Sequence, residues 1–117
     1  MKTSELIGTE LDWAVAKCKG FETNLFRGVV VEPSNGMFGA LPKKWRPSSN
    51  WEQGGPIIER EKIEMAEYKG GWSAHIKTDA EPLDELHGYG PTPLIAAMRC
   101  YVASKLGDEV EIPEELK

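Results

Sequence analysis

Apolar residues repeat with helical spacing near both ends of the chain. In the first stripe they occupy positions i, i+3, i+4 and i+7: Leu11, Ala14, Val15 and Cys18. This stripe predicts a helix over about residues 9–19, which Gly20 ends. Thr9 is the expected N-cap, and Asp12 three residues later completes a pattern that resembles a capping box.

The second stripe is longer and predicts a helix over about residues 93–106. Thr92 is its expected N-cap, Pro93 suits the first helical position, and Gly107 follows the last turn. Its apolar residues cover more than one face: Leu94, Ile95, Ala96, Ala97, Met98, Cys100, Tyr101, Val102 and Ala103. Because a helix that is apolar on most sides must be surrounded by other elements, we expect it at the centre of the core.

Strand patterns lie between the two helices. The β-branched residues of Val29–Val31 predict a strand over about 26–32, and residues 63–77 predict a hairpin that turns at Lys69–Gly71. The second arm of this hairpin has one apolar face: Trp72, Ala74 and Ile76. The predicted fold is therefore α+β, a small antiparallel sheet made of the hairpin and the strand, packed against the two helices.

The remaining stretches are expected to be irregular. Residues 33–55 are rich in proline and glycine and predict a long loop, which inside a compact domain is often functional. A short helical turn that starts with a proline is expected over 56–61. Residues 78–90 predict a second, polar loop.

Length and charge bound the classes of function. The chain has 117 residues, 40% of them hydrophobic, which suits one domain, expected over residues 1–107. The net charge is −5, but five of the 19 acidic residues and one of the 14 basic residues fall within residues 108–117. This segment is expected to be a solvated acidic tail, with contact to a basic partner as the alternative. The rest of the chain is close to neutral, which argues against nucleic acid as a partner.

Targeting and redox signals point to the inside of a cell. No apolar run is long enough to span a membrane, and the first residues lack the apolar core of a signal peptide. We therefore expect the protein to stay in the cytoplasm where it is made, with no membrane partner. In that reducing compartment Cys18 and Cys100, which lie in apolar helical patterns, are expected to be buried thiols. His75 is expected on the solvent side of its strand, and together with His87 it is too scattered for a zinc site.

The sequence contains none of the common catalytic or cofactor motifs. The Gly-x-Ser-x-Gly elbow, the Walker loop, the Gly-x-Gly-x-x-Gly fingerprint, Cys-x-x-Cys and His-Glu-x-x-His do not occur. Acid pairs such as Glu59 and Glu61 could serve acid–base chemistry, but a solvated polar face is the simpler interpretation. We therefore expect a binding protein without a cofactor.

The middle of the chain holds the strongest candidate site. Its candidate ligand-binding residues are Lys44, Arg46, Asn50, Trp51, Gln53, Gly54 and Gly55. The two glycines would let backbone amides approach an anion, ahead of a helix start that also favours negative charge. The indole offers a face on which a base can stack, the two amides could bind the edge of that base, and the two cations could hold a phosphate.

A second candidate element, Gly88–Thr92, leads into the last helix. It repeats the combination of glycines, an aromatic ring and a helix start, with Tyr89 and Thr92 as the candidate ligand-binding residues. For both elements a structural interpretation stays open: the glycines could form simple turns, the polar residues could act only as caps, and Trp51 could fill the core.

Three stretches together resemble one protein family. They are Leu11–Cys18, Asn50–Glu59 and Pro91–Arg99, and their order and spacing are more specific than any one alone. They are similar to the NinX-like proteins of tailed phages and prophages, a family known mainly as a domain of unknown function. Where the family more often has Ser-Thr-Asp-Trp, this chain has Ser48–Trp51 with Ser-Ser-Asn-Trp. The resemblance implies a phage or prophage origin and supplies no activity.

Three functional hypotheses follow. The first is a phage-encoded, non-enzymatic protein that sequesters a small anionic, nucleotide-like ligand such as a host immune signal, a role often filled by homo-oligomers. The second is an inhibitor or adaptor of a host protein, anchored by loop aromatics such as Trp45 and Trp51 and by the acidic tail. The third and least favoured is a small metal-dependent nucleotide hydrolase that uses scattered carboxylates.

Overall fold

A computed structural model describes residues 1–20, 24–26, 29–31, 44–77 and 85–116. It confirms an α+β fold. The helices are α1 (Gly8–Lys19), α2 (Trp51–Glu61) and α3 (Pro93–Leu106). The strands are β1 (Asn24–Phe26), β2 (Val29–Val31), β3 (Glu64–Tyr68), β4 (Gly71–Lys77) and β5 (Glu85–Gly90), and short 3₁₀ turns cover Thr3–Glu5 and Glu114–Leu116. Within these described ranges, no helix has the length and apolar character needed to span a bilayer.

The first predicted helix is confirmed as α1, but its capping differs from the prediction. Gly20 ends it in the left-handed conformation, with φ of 78°, and donates its N–H to the carbonyls of the last turn. The N-cap is Ile7, without a side-chain hydrogen bond, so the prediction of Thr9 as cap was wrong. Asp12 does not complete a capping box, because its buried carboxylate accepts a hydrogen bond from the Ser48 N–H at 2.9 Å.

The hairpin is confirmed and gains a third strand. β3 and β4 pair antiparallel around Lys69 and Gly70, whose φ values of 47° and 81° are both positive, as a type I′ turn requires. β5 pairs with the other edge of β4, giving the order β3-β4-β5. The prediction of a polar loop over 78–90 was thus wrong for β5, and residues 78–84 lie outside the described residues.

The predicted strand over 26–32 does not join this sheet. Among the residues that the structure describes, β1 and β2 pair with each other and with no other strand, antiparallel, with Leu25 opposite Val30. The β-branched run does form a strand, but hydrophobic alternation says nothing about the partner, and here the partner is the neighbouring segment. The prediction of one sheet containing both the hairpin and this strand was therefore wrong.

α3 is the centre of the core, as predicted. The hydroxyl of Thr92 caps it by accepting the Ile95 N–H at 3.1 Å, and Gly107 follows its last residue. It packs against β4 and β5 on one side and against α1 on another. Its buried residues are Leu94, Ala96, Ala97, Met98, Cys100, Tyr101 and Val102.

Two glycines of β5 allow this close packing. A Cβ on Gly88 would lie 2.4 Å from the Ala96 carbonyl oxygen and 2.5 Å from the Cys100 nitrogen. A Cβ on Gly90 would lie 2.7 Å from Cγ2 of Ile95. These glycines were candidates for close approach to a ligand, but in the fold they let the backbone of α3 press directly on β5.

α2 begins earlier than the sequence predicts. It starts at Trp51 and not at Pro56, so the predicted loop over 33–55 ends at Asn50, and its part at 33–43 lies outside the described residues. Gly54 and Gly55 were expected ahead of the helix start, but Asn50 caps the helix before them. Because a proline can occupy a helix at the cost of one hydrogen bond, Pro56 is accommodated on the exposed side.

The segment after α3 returns to the N-terminus. Val110 and Met1 exchange two hydrogen bonds of 2.9 Å, and the Thr3 N–H donates to the Asp108 carbonyl at 2.8 Å. Val110 and Ile112 are buried, so the prediction of a solvated tail was wrong for these residues. Alternation explains the error, since apolar residues face the core while the acids between and around them stay exposed: Asp108, Glu109, Glu111 and Glu114.

Candidate functional site

The start of α2 is closed by its own capping residue. The Asn50 side-chain oxygen accepts the Glu52 N–H at 2.9 Å, and the Asn50 carbonyl accepts the N–H groups of Gln53 and Gly54 at 3.1 and 2.9 Å. The backbone amides that the sequence offered to an anion are therefore bonded within the helix. Asn50 acts as an N-cap.

Gln53 holds the preceding segment in place. Its side chain is only 6% exposed, its Oε1 accepts the Arg46 N–H at 2.6 Å, and its Nε2 donates to the Lys44 carbonyl at 2.9 Å. The prediction that this amide binds the edge of a base meets a physical obstacle, because both of its polar atoms are engaged within the fold.

The neighbouring glycines differ from each other. A Cβ on Gly54 would lie 2.5 Å from the Pro47 carbonyl oxygen and 2.7 Å from Cδ2 of Leu94, whereas a Cβ on Gly55 would meet nothing within 4 Å. Gly54 is thus required for the contact between α2, the preceding turn and α3. Gly55 has no such packing constraint.

The two candidate cations lie near a buried carboxylate. Burial raises the pKa of Asp12, while its hydrogen bonds from Ser48 and the positive charges of Lys44 and Arg46 act in the opposite direction. Lys44 and Arg46 are exposed, and neither lines the pocket that is formed by the start of α2. Their charges therefore help to compensate Asp12.

Trp51 and Thr92 meet in one cavity, the Trp51 pocket. This pocket of about 270 Å³ lies where the starts of α2 and α3 converge. Its lining residues are Ser48, Ser49, Trp51, Thr92, Pro93, Leu94 and Ile95. The Trp51 side chain is 53% exposed, so its indole is available to a ligand and does not fill the core.

Tyr89 belongs to a different part of the surface. It lines a groove of about 550 Å³, the Arg99 groove, to which three parts of the fold contribute. β5 provides residues 87–90, α3 provides Arg99 and Ala103, and the two chain ends provide residues 2–4 and 108–109. The predicted ligand-binding residues therefore do not assemble into one site.

Sequence reasoning missed Arg99. Its Nε donates to the Leu6 carbonyl at 2.8 Å and its Nη1 to the Tyr89 carbonyl at 2.7 Å, so the side chain is fixed by two distant segments. The signal that could have found it was a charged residue in an otherwise apolar stretch of α3. Burial lowers the pKa of the Arg99 guanidinium.

The histidines are closer together than their sequence positions indicated. His75 and His87 are opposite each other across β4 and β5, and His75 Nε2 lies 2.7 Å from a carboxylate oxygen of Glu64. The prediction that they are scattered was wrong, since strand pairing brings them together. In the part of the chain that the structure describes, however, no group of three or more His, Cys, Asp or Glu side chains is arranged to hold a metal ion.

Both cysteines are free thiols shielded by the core. Cys100 is buried and Cys18 is partly buried, in agreement with the prediction. Burial raises the pKa of Cys18 to about 12 and that of Cys100 to about 11. Since the thiolate is the reactive form, neither group is a nucleophile at neutral pH.

Comparison with models of known protein families shows to which family the chain belongs. The family model described as Bacteriophage P22, NinX matches residues 2–105. The chain belongs to the NinX family. The range that matches the NinX family contains the whole Trp51 pocket and all of the Arg99 groove except residues 108–109. A search among curated proteins found no match.

Proposed function

We propose that this NinX-family protein is a non-catalytic binding protein that holds a small anionic, nucleotide-like ligand in the Trp51 pocket. A host immune signal that must be sequestered is a ligand of this class. The observation that carries the proposal is the half-exposed indole of Trp51 at a cavity that Thr92 also lines. An exposed aromatic face supports stacking of a base, which contributes about 1–3 kcal/mol per base.

The charge of the pocket suits an anion. Among the described residues, no acidic side chain lines the pocket, which lies at the N-terminal ends of two helices. Each helix N-terminus carries a partial positive charge equivalent to roughly half an elementary charge. Because the first amides of α2 are capped, this attraction acts through the helix dipoles and the hydroxyls of Ser49 and Thr92 more than through open N–H groups.

The volume limits the ligand. At about 270 Å³ the pocket is slightly smaller than the range of roughly 300–1,000 Å³ that is typical of sites for drug-sized ligands. It has room for one ring system with its nearest substituents, so a larger oligonucleotide would extend onto the surrounding surface. A mononucleotide or one end of a dinucleotide is the best match in size.

A non-catalytic role agrees with the chemistry of the lining. The Thr92 hydroxyl is engaged as a helix cap, and the part of the lining that the structure describes includes no carboxylate, imidazole or thiol that could act as a general base. Such a protein needs affinity and no turnover. Ligands recovered intact after incubation would support this, whereas consumption that a chelator stops would favour the hydrolase hypothesis.

Thermal shift with a panel of mononucleotides, cyclic dinucleotides and ADP-ribose tests the proposal, because a ligand that binds the folded state raises Tm. We expect at least one compound to raise the Tm of the wild type. In Trp51→Ala, the same compound should raise Tm much less. Tyr68→Ala is the matched control, since Tyr68 is 47% exposed and does not line the pocket. The proposal fails if no compound raises Tm, or if Trp51→Ala responds like the wild type.

One observation favours a second candidate, a protein partner. Tyr68 and Tyr89 are 47% and 50% exposed, and their ring centroids are 5.4 Å apart on the sheet face opposite α3. Trp45, by contrast, is buried and cannot serve as the interface anchor that the sequence had indicated. Capture of one dominant host protein by the wild type, lost in a Tyr68→Ser/Tyr89→Ser variant but retained in Trp51→Ala, would establish this alternative.

A further inference from the structure

Arg99 carries its charge into the Arg99 groove without a carboxylate partner. Its two hydrogen bonds are to the backbone carbonyls of Leu6 and Tyr89. Among the residues that the structure describes, no acidic side chain forms an ion pair with it. Two neutral carbonyls orient the guanidinium but do not neutralise it, so a partly buried positive charge faces a cavity of about 550 Å³.

The remaining donors of Arg99 form a fork. A guanidinium has five N–H groups, and the two carbonyls occupy one on Nε and one on Nη1. One N–H on Nη1 and two on Nη2 remain. On the outer edge of a guanidinium, such donors commonly bind a carboxylate or a phosphate through two parallel hydrogen bonds.

The side chain is also preorganised. Leu6 and Tyr89 belong to segments far apart in the chain, and both hold the same guanidinium. A fixed side chain loses little conformational freedom when a ligand binds, so more of the interaction appears as affinity. A free surface arginine would not have this advantage.

Other charges around the groove set its selectivity. Lys2 adds a positive charge, while Asp108 and Glu109 add two negative ones, and all three are exposed. Exposed charges are screened by water and salt, so the less hydrated Arg99 dominates inside the groove. The acids at the rim disfavour an extended polyanion, and one compact anionic group suits the site.

From this geometry we propose that the Arg99 groove is an oxyanion-binding site, which takes a carboxylate or a phosphate on the outer edge of the Arg99 guanidinium. The site is separate from the Trp51 pocket and does not depend on the function proposed for that pocket. A small organic acid, a phosphorylated compound or a terminal carboxylate would each present the required group.

Titration followed by 1H–15N NMR tests this proposal with two probes, inorganic phosphate and acetate, against sodium chloride at matched ionic strength. We expect saturable shifts of the Arg99 Nε–H signal and of the backbone amides of residues 87–90. Arg99→Lys keeps the positive charge but loses the paired N–H donors of the guanidinium. We expect its affinity for the anion to fall by about tenfold, which corresponds to the loss of one strong interaction. Arg60→Gln is the matched control, because Arg60 is exposed and lies outside the groove.

The outcomes separate the sources of the anion. Saturation by phosphate alone assigns a phosphate-bearing ligand, saturation by acetate alone assigns a carboxylate, and saturation by both supports the general oxyanion site. Shifts that chloride reproduces, that never saturate, or that persist unchanged in Arg99→Lys overturn the proposal. The chemical-shift changes of the wild type locate the bound anion without any variant. The test therefore stays decisive even if Arg99→Lys folds poorly.

Discussion

The Trp51 pocket and the Arg99 groove are assembled in different ways. The pocket is built from two short segments, residues 48–51 and 92–95, each of which contains the N-cap of a helix. The groove needs four segments, at residues 2–4, 87–90, 99–103 and 108–109. Local capping signals can be recognised in a sequence, whereas a groove made by distant segments exists only after the chain has packed. The two sites should therefore respond differently to mutation.

The largest expected effect on stability comes from a substitution in the wall of the Arg99 groove. In Gly88→Ala the new Cβ would meet backbone atoms of Ala96 and Cys100 at 2.4–2.5 Å, and backbone cannot rotate away. We expect a loss of about 3 kcal/mol in the free energy of unfolding, at the upper end of overpacking effects. Denaturation in urea measures it, and a change within about 0.5 kcal/mol would show that β5 and α3 can separate easily.

The next effect distinguishes two adjacent glycines near the pocket. Gly54→Ala places a Cβ 2.5 Å from the Pro47 carbonyl oxygen, and we expect a cost of about 2 kcal/mol. Gly55→Ala meets no atom within 4 Å apart from its chain neighbours, and because Pro56 disfavours the helical conformation of a preceding residue with a Cβ, the gain in helix propensity is offset and the change should stay within about 0.5 kcal/mol. Urea denaturation of both variants gives the comparison. Equal effects on stability would contradict the packing described for Gly54.

The helix caps that border the pocket should have a smaller effect. Asn50→Ala and Thr92→Ala each remove a side-chain acceptor from the first turn of a helix, which costs about 1 kcal/mol. Thr92→Ser keeps the hydroxyl and should retain most of the stability. Circular dichroism during thermal unfolding measures these differences, and a full loss in Thr92→Ser would mean that the methyl group, and not the cap, matters.

The last effect is silent at neutral pH and concerns the pH dependence of stability that comes from the thiol beneath the groove wall. The pKa of Cys100 is raised from its ordinary value of 9.0 to about 11, so the folded state favours the neutral thiol. This contribution to stability is fully present below pH 9 and is lost as the pH rises from about 9 to about 11. Urea denaturation across this range should show the decline, and it should shrink in Cys100→Ala. A stability that rises with pH there would contradict the burial of this thiol.

Elements with strong local signals could be predicted from the sequence. Thr92, Pro93 and Gly107 bracket α3, and a Lys69–Gly70 turn between alternating residues gives the hairpin. These signals depend on a few neighbouring residues and on hydrogen bonds within one element. For Trp51 the sequence left open whether the indole faces solvent or fills the core, and the structure shows that it is 53% exposed.

Features that depend on packing could not be predicted. β5 contains Gly88 and Gly90, which weaken a strand signal, and only contact with α3 explains them. Val110 and Ile112 lie among acids, so their return to the core was hidden by the charge of the segment. Arg99 is oriented by the carbonyls of Leu6 and Tyr89, which precede it by 93 and 10 positions in the chain. No local sequence pattern reveals these contacts.

The claim that a ligand stacks on Trp51 is tested most directly by acrylamide quenching of tryptophan fluorescence. Of the four tryptophans, Trp13 and Trp45 are only 8% and 4% exposed and Trp72 is partly buried, so Trp51 is the most accessible to acrylamide, and Trp51→Phe gives the background of the other three. We predict that at least one nucleotide-like compound that raises Tm also protects the indole from acrylamide. A compound that stabilises the protein while Trp51 stays equally accessible would contradict the account.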